Sequence, residues 1–438
     1  MMCGALERAA GCRMRLLVRK SSLSGSAVIP GSKSHTVRAV AIGSLAEGES
    51  IIHAPLVAAD TLSAVQAYRA LGAEIETLDG CWRVRGFGGK PSATDAVIDV
   101  GNSGTTLYIA MGSAALGGHR YVFTGDSQIQ RRPTGPLVHA LNDLGAAAHS
   151  IQPGGIGPVM LAGPIRGGSV TLDCSKTSQY LTSLLINCPL AVGDTVILAG
   201  NLVERPYVEM TLRWISEQGV RVEREGFERF TVPGGQRYRT FDRRIPADWS
   251  SATFFMCAAA ITGATIDLPG LDVSDTQGDK AVAEMLSRMG ARVESSPDGI
   301  RISGGRLVGG EFDLKDTPDA LPALAVTACF AEGETRLVNV AQARLKETDR
   351  ISVMCAELGK MGARIEELPD GLVIHGGGMH AAEVSGHDDH RVIIALALAG
   401  LAVDGETVVG PANALGVTFP NFVELMRGIG ASIEIIND

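Results

Sequence analysis

The sequence predicts an α/β protein of two similar domains, each made of three repeated units, and three observations carry that prediction. The chain has 438 residues, 45% hydrophobic and 20% charged, a globular composition whose length suits two cores of roughly 200 residues better than one. One phrase recurs six times along it: an amphipathic helix, a glycine, a strand, a turn and a strand. The copies stand about 70 residues apart, too long for a solenoid repeat and too regular for coincidence.

In order, the copies read ALGAEIETLDGCWRVRG around Gly72, DLGAAAHSIQPGGIGPVMLAG around Gly145 and EQGVRVEREGFERFTVPGG around Gly219. RMGARVESSPDGIRISGG follows around Gly290, KMGARIEELPDGLVIHGG around Gly362 and GIGASIEIIND around Gly430. Each glycine falls where a helix has to stop, because a left-handed residue there lets the last carbonyls find partners without a Cβ clash. In the fourth and fifth copies the turn is Pro-Asp-Gly, at 297–299 and 369–371, flanked by alternating apolar residues as in a hairpin.

The formal charge of −9 argues against non-specific nucleic-acid binding, which needs a basic stripe, so a bound anion has to meet a local cluster of cations. The cysteines (Cys3, Cys12, Cys81, Cys174, Cys188, Cys257, Cys329, Cys355) form no CxxC pair and read as reduced intracellular thiols. Residues 1–13 lack the apolar run of a signal peptide, and no uncharged apolar stretch of about 18 residues occurs. The expectation is a cytoplasmic protein, with Met14 an alternative start to Met1.

Six segments have the makings of a site. Pro30-Gly31-Ser32-Lys33-Ser34-His35-Thr36-Val37-Arg38 leads into an apolar-periodic helix that Ser34 can cap, and a helix N-terminus beside Lys33 and Arg38 is a ready anion site. Gly101-Asn102-Ser103-Gly104-Thr105-Thr106 is a small-residue loop whose amides can approach a ligand. Gln130-Arg131-Arg132-Pro133 offers a bidentate clamp for carboxylate or phosphate. Thr177-Ser178-Gln179-Tyr180 places hydroxyl and amide donors at the head of an apolar helix. Each of these is as readily an ordinary capped helix or surface loop.

Two charged runs are stronger signals: Arg344-Leu345-Lys346-Glu347-Thr348-Asp349-Arg350, and His387-Asp388-Asp389-His390-Arg391. Both precede segments expected to be buried, almost wholly apolar helices, where ordinary surface charge has no reason to gather. The His-Asp-Asp-His run has the residue types of a metal site, but adjacent ligands on one short segment without a further partner disfavour a metal.

Taken in register with the sixfold repeat, PGSKSHTVR, GNSGTT, RRP, TSQYLTSLL, RPYVEMTL, ADWSSATFF, PDALPALAV, LKETDR, DDHR and TFPNF resemble the enolpyruvyl transferase family, and within it the 5-enolpyruvylshikimate-3-phosphate synthases, from about Leu16 to the C-terminus. The resemblance implies two inside-out α/β domains of three βαβαββ units each, with ligands in the cleft between them. It divides the chain into residues 14–30 plus 243–438 and residues 31–242. It implies transfer of the enolpyruvyl group of phosphoenolpyruvate to the 5-hydroxyl of shikimate 3-phosphate, by addition and elimination through a tetrahedral ketal. No metal or organic cofactor is implied, the partners being small-molecule substrates and the chain a monomer.

Carried over by position, Lys33, Gly104, Arg132, Gln179, Arg350 and Arg391 resemble the phosphoenolpyruvate-binding residues. Ser34 and Arg38 match the pair on the acceptor's carboxylate, and Thr177, Ser178 and Lys346 the donors to its 3-phosphate. Gln179, Tyr207 and Gln342 complete the acceptor side. Asp319 matches the carboxylate on the attacking hydroxyl and Glu347 the acid/base near the methylene, which with Lys33 make up the catalytic set.

Four positions depart from the family's pattern. Tyr108 and Gln128 stand where arginines are usual, and Val417 where a lysine is usual, a lost charge-assisted hydrogen bond being worth about 1.5–3 kcal/mol. Glu204 stands where a serine usually meets the 3-phosphate, and a carboxylate about 4 Å from one phosphate charge costs some 4 kcal/mol at an effective dielectric of 20. Either Arg205 or Lys176 compensates, or the acceptor carries no phosphate there. A relative acting on another cyclic alcohol, by enolpyruvyl transfer or a related elimination, and a non-catalytic binding protein therefore stay open.

Overall fold

A computed structural model describes residues 14–91 and 95–437; Cys3, Cys12 and the rest of residues 1–13 lie outside them. Six four-stranded sheets organise these residues. Each sheet has the same order: a first strand runs parallel to the second, the fourth lies antiparallel beside the second, and the third closes the edge against the fourth. Residues 96–162 show one unit whole: strand Ala96–Asp99, helix Gly104–Ala114, strand Arg120–Thr124, helix Gly135–Asp143, then the hairpin Ala147–Ser150 and Val159–Ala162.

Two kinds of helix alternate. The first of each unit (Lys33–Leu45, Gly104–Ala114, Gln179–Asn187, Trp249–Thr262, Leu321–Cys329, His390–Ala402) is buried almost along its whole length, which fits a helix apolar on all sides. These helices pack against one another in two groups of three, with the sheets wrapped outside. The second helix of each unit, such as Ala281–Met289 with Val282, Met285, Leu286 and Met289 turned inward, is amphipathic. The glycines that follow these second helices (Gly72, Gly145, Gly219, Gly290, Gly362 and Gly430) all have φ between 85° and 111°, the left-handed stop the repeat requires.

Three of the sheets are completed by segments far away in the chain. Met14–Arg19 is the fourth strand of the last unit, pairing with Ser432–Asn437 and Glu406–Val409. Ser24–Ser26 is the first strand of the unit that resumes at Trp249, and Asp242–Arg244 supplies the first strand of the unit beginning at Lys33. One core accordingly gathers Leu16–Ile29 with Trp249–Ile433, and the other gathers Val37–Ile245. The strand at 242–244 straddles the boundary expected at 242/243. The chain crosses between the two bodies twice, near Pro30 and near Asp248, where Asp248 N–H donates to Pro30 O at 2.9 Å.

Candidate active site

The buried helices begin at a common cleft. Lys33, Ser34 and Arg38, Thr105, and Ser178 with Gln179 reach it from one body; Asp248, Ser250 and Ser251, Asp319, and His390 with Arg391 reach it from the other. Helix N-termini present unpaired N–H groups and the positive end of the macrodipole. Gathering several of them on one cleft makes it hospitable to anions before any side chain is counted.

Arg350 organises the wall of the second body. Its guanidinium, 1% exposed, donates to Asp389 Oδ2 at 2.8 Å and Oδ1 at 3.2 Å, to Asp319 Oδ1 at 2.7 Å and to Glu347 Oε2 at 2.6 Å. Asp389 also caps the helix His390–Ala402 by accepting from Arg391 N at 2.9 Å, so the cap and the ion pair use one carboxylate. Asp319 in turn pairs with Arg391 at 3.2 Å and lies 3.8 Å from Lys346 Nζ. Burial alone pushes the Asp319 and Glu347 carboxyls up, but the cations outweigh it: Arg391, Lys346 and Arg350 hold Asp319, and Arg350 with Arg132 hold Glu347, well below the usual carboxylate range. Burial also drives His390 down to about 3, leaving a neutral imidazole.

Arg132 crosses the cleft to meet this wall, donating to Glu347 Oε1 at 2.9 Å. Its loop is set by Asp126, whose Oδ1 accepts from Gln128 N and Ile129 N, each at 2.9 Å. Beyond it, Pro133 O accepts from Tyr108 at 2.9 Å and Tyr180 at 2.6 Å, the two rings meeting edge to face. Gly104 sits against the Arg132 guanidinium, where a Cβ would lie 3.7 Å from its carbon. Lys33 pairs with buried Asp60 at 3.1 Å. Arg132 Nε, Gln179 Oε1, Asp60 Oδ1 and Asp279 Oδ1 are buried without a hydrogen-bond partner, a concentration of unmet polar atoms that marks a binding site more than a structural core.

The structure brings together Lys33, Ser34, Arg38, Thr177, Ser178, Gln179, Tyr207, Asp319, Lys346, Glu347, Arg350 and Arg391, with Gly104 and Arg132 alongside. Gln342 is buried behind them, donating to Lys315 O at 2.9 Å.

Several expectations are corrected. Ser32, not Ser34, holds the cap position of the helix Lys33–Leu45, and its hydroxyl makes no capping bond. Arg344 turns away to Asp349 and to the carbonyls of Leu368 and Pro369. Its run precedes an amphipathic helix, Arg350–Lys360, not a wholly buried one, because Ile351, Met354 and Leu358 are its inward apolar face. Glu204 is balanced by Lys346, at 2.6 Å, rather than by Arg205, whose guanidinium lies over Phe227, or by exposed Lys176. No group of three or more His, Cys, Asp or Glu side chains placed to hold a metal ion occurs among the described residues.

Sequence reasoning missed Asp60, Asp279 and the role of Asp389. Only Asp389 left a legible signal, an aspartate directly before an apolar helix. Asp279 accepts from Ser250 at 2.6 Å and from Tyr207 across the cleft at 3.2 Å, and burial pushes it up to about 6. The described cysteines are all unpaired, and burial raises the Cys174, Cys188, Cys257 and Cys329 thiols to about 12, so they are inert filler.

Two inside-out bodies whose buried helices aim their N-termini and paired charges into one cleft define an enzyme for small, multiply anionic substrates. The comparisons give the family: residues 18–426 match EPSP synthase (3-phosphoshikimate 1-carboxyvinyltransferase), and the chain belongs to that family. A relative from Acetivibrio thermocellus, named 3-phosphoshikimate 1-carboxyvinyltransferase, is 52% identical over 96% of this chain and 99% of its own. One of the same name from Ruminiclostridium cellulolyticum is 51% identical over 97% of this chain and all of its own. A solved EPSP synthase from Acinetobacter baumannii superimposes with a TM-score of 0.81 at 28% identity, over 97% of this chain and all of that one. The inside-out repeat expected from the motifs is met, and nothing in the comparisons favours a relative with another chemistry. No helix among the described residues is long and apolar enough to cross a membrane.

Proposed function

We propose that the chain transfers the enolpyruvyl group of phosphoenolpyruvate to the 5-hydroxyl of shikimate 3-phosphate and releases phosphate. The observation that carries this reading is the cation set on both walls of one cleft, Lys33 and Arg132 facing Lys346, Arg350 and Arg391, around the two carboxylates Asp319 and Glu347. Family membership supplies the reaction.

Addition joins the acceptor oxygen to C2 of phosphoenolpyruvate, moves the hydroxyl proton to a base and delivers a proton to the methylene carbon. Elimination then removes a proton from that carbon and breaks the C2–O bond to phosphate, so atoms and charge balance. Asp319, held ionised by Arg391, Lys346 and Arg350, suits the role of accepting the hydroxyl's hydrogen bond. Glu347 is clamped by Arg350 and Arg132, so to serve as the acid it has to be freed. The phosphate and carboxylate of phosphoenolpyruvate are ligands able to draw both guanidiniums away, which raises the Glu347 pKa when a proton donor is needed. Lys33, Arg132, Arg350 and Arg391, with Gly104 and Gln179, serve phosphoenolpyruvate. Ser34, Arg38, Thr177, Ser178, Tyr207, Gln342 and Lys346 serve the acceptor.

The two cores are read as two domains, divided near Pro30 and near Asp248, that close on the substrates in a cytoplasmic monomer. Closure excludes water while the ketal forms. The deciding experiment measures phosphate release from phosphoenolpyruvate with shikimate 3-phosphate and with shikimate supplied separately. Release that needs the phosphorylated acceptor upholds the reading, and no release with either acceptor overturns it. Small-angle scattering checks closure, which fails if adding both ligands produces no compaction.

A further inference from the structure

Glu204 is a non-glycine residue in the left-handed region, φ 55°, and its side chain is 3% exposed. Such a conformation persists only where the surroundings over-determine it. Here the main chain is tied to the opposite wall of the cleft: Glu204 N donates to Lys315 O at 3.3 Å and Arg205 N to Asp316 Oδ1 at 3.0 Å. The result is a carboxylate delivered into a converging set of donors. Lys346 Nζ reaches one oxygen at 2.6 Å, while Ser178 Oγ at 3.0 Å, Ser178 N at 3.3 Å and Thr177 Oγ1 at 3.4 Å reach the other.

An ammonium, two hydroxyls and an amide at the head of a buried helix are the donors that bind an oxyanion, and the oxyanion they hold in this structure belongs to the protein itself. The same pocket is lined by Ser34, Arg38, Tyr207 and Asp319 as well as by Lys33 and Gln179. The donor set therefore opens into the cleft proposed for both substrates, and on the proposed reading of Ser34, Arg38 and Tyr207 it belongs to the acceptor. A phosphate and the Glu204 carboxylate cannot share it, because both compete for the one ammonium and repel each other at contact distance.

We propose that Glu204 is the resident counter-ion of the subsite for the acceptor's phosphate, and that the carboxylate has to leave Lys346, Ser178 and Thr177 before that phosphate binds. Residue 204 thereby sets the affinity for the phosphorylated acceptor. This inference rests on the reading of the chain as a 3-phosphoshikimate 1-carboxyvinyltransferase. Its effect falls on the acceptor and not on phosphoenolpyruvate, whose cations Lys33 and Arg132 are partnered by Asp60 and Glu347.

The test compares the full chain with Glu204→Gln, which keeps the volume and removes the charge, and Glu204→Ser, which vacates the donors. KM for shikimate 3-phosphate is expected to fall about tenfold or more in Glu204→Ser, with a smaller fall in Glu204→Gln and KM for phosphoenolpyruvate moving by less than about threefold. Inorganic phosphate, titrated calorimetrically, is expected to bind the variants more tightly than the parent and to raise their melting temperatures further. An acceptor KM that is unchanged or raised in both variants, with no tighter phosphate binding, overturns the proposal and makes Glu204 a strut between the walls. If Glu204→Ser does not fold, Glu204→Gln decides by the same two readouts. If no form of the chain turns over the substrates, the functional reading fails, while the phosphate titration still decides residue 204: tighter binding in the variants upholds its role and equal binding overturns it.

Discussion

Arg350 and Arg38 are both 1% exposed and both serve the same cleft, yet their surroundings differ. Arg350 meets Asp389, Asp319 and Glu347, so its charge is cancelled by its own scaffold. Arg38 donates only to neutral oxygens, Thr211 Oγ1 at 3.0 Å, Ser34 O at 3.0 Å and Tyr207 O at 3.1 Å, and no carboxylate among the described residues pairs with it. Burial consequently drives Arg38 down to about 10, while the carboxylates carry Arg350 up against the same burial. A cation with built-in partners fixes the geometry of a wall; a cation without them is left with a charge the scaffold does not match, which is what the proposed role of Arg38 on the acceptor requires.

The largest effect is expected where the scaffold's own charges are broken. Arg350→Met strands three carboxylates in a buried site, and uncompensated buried charge costs about 3–5 kcal/mol. Urea unfolding is expected to show a loss of that order together with the loss of measurable turnover. Arg350→Lys does not rescue, because one ammonium cannot span the four carboxylate oxygens that the guanidinium reaches. A stable, active Arg350→Met would mean that the wall is held by its apolar packing alone.

Arg38→Met tests the other half of the comparison. With no partner carboxylate to strand, its stability is expected to change by no more than about 1 kcal/mol. The acceptor KM, however, should rise by about ten- to hundredfold, the value of a charge-assisted hydrogen bond. Steady-state kinetics alongside thermal melting separate the two, and a large stability loss with an unchanged acceptor KM would reverse the roles assigned to the two arginines.

The contrast also marks how far the sequence could be read. Gly72 through Gly430 exposed the sixfold repeat because a left-handed helix stop is a local requirement, and the loops at Lys33, Gly104 and Ser178 were legible because helix starts have local signatures. The resemblance placed residues 14–30 with 243–438, but the pairings by which Met14–Arg19, Ser24–Ser26 and Asp242–Arg244 complete three sheets were not legible, since strand pairing across hundreds of residues leaves no local mark. The partners of the charges were hidden for the same reason. Lys346 stands 142 residues from Glu204 and on the opposite wall, so reasoning from neighbours pointed to Arg205 and Lys176 instead. Asp60 and Asp279 carry no sequence signal that sets them apart from solvated aspartates, and only their burial in the fold does so.

Two neighbouring carboxylates extend the comparison to pH. Asp319, held low by its cations, contributes stability that is present above the ordinary carboxylate pKa of about 4 and is lost as pH falls through its folded value. Asp279 faces Asp319, Arg391, Asp248, Tyr207 and Ser250, and burial raises it to about 6. Its contribution has the opposite sign, fully present below about pH 4 and lost as pH rises through about 6. Between pH 7 and pH 5 the unfolding free energy is therefore expected to rise by about 1–2 kcal/mol, and Asp279→Asn should flatten that rise. A slope unchanged by Asp279→Asn would assign the titration to another group.

The smallest effect belongs to the support of Arg132, where partners are duplicated. Tyr108 and Tyr180 both donate to Pro133 O, directly after Arg132, and burial lifts the Tyr108 hydroxyl to about 12, so it stays a neutral donor. Either hydroxyl satisfies the carbonyl without the other. Tyr108→Phe and Tyr180→Phe are each expected to cost less than about 1 kcal/mol and to shift KM for phosphoenolpyruvate by less than about threefold. The double variant leaves the carbonyl bare and should cost more than the sum of the two, a coupling of about 0.5 kcal/mol or more in a double-mutant cycle. Strict additivity would show that the two hydroxyls act on separate features of the loop, and that Tyr108, standing where the family's pattern has an arginine, does not steady Arg132 at all.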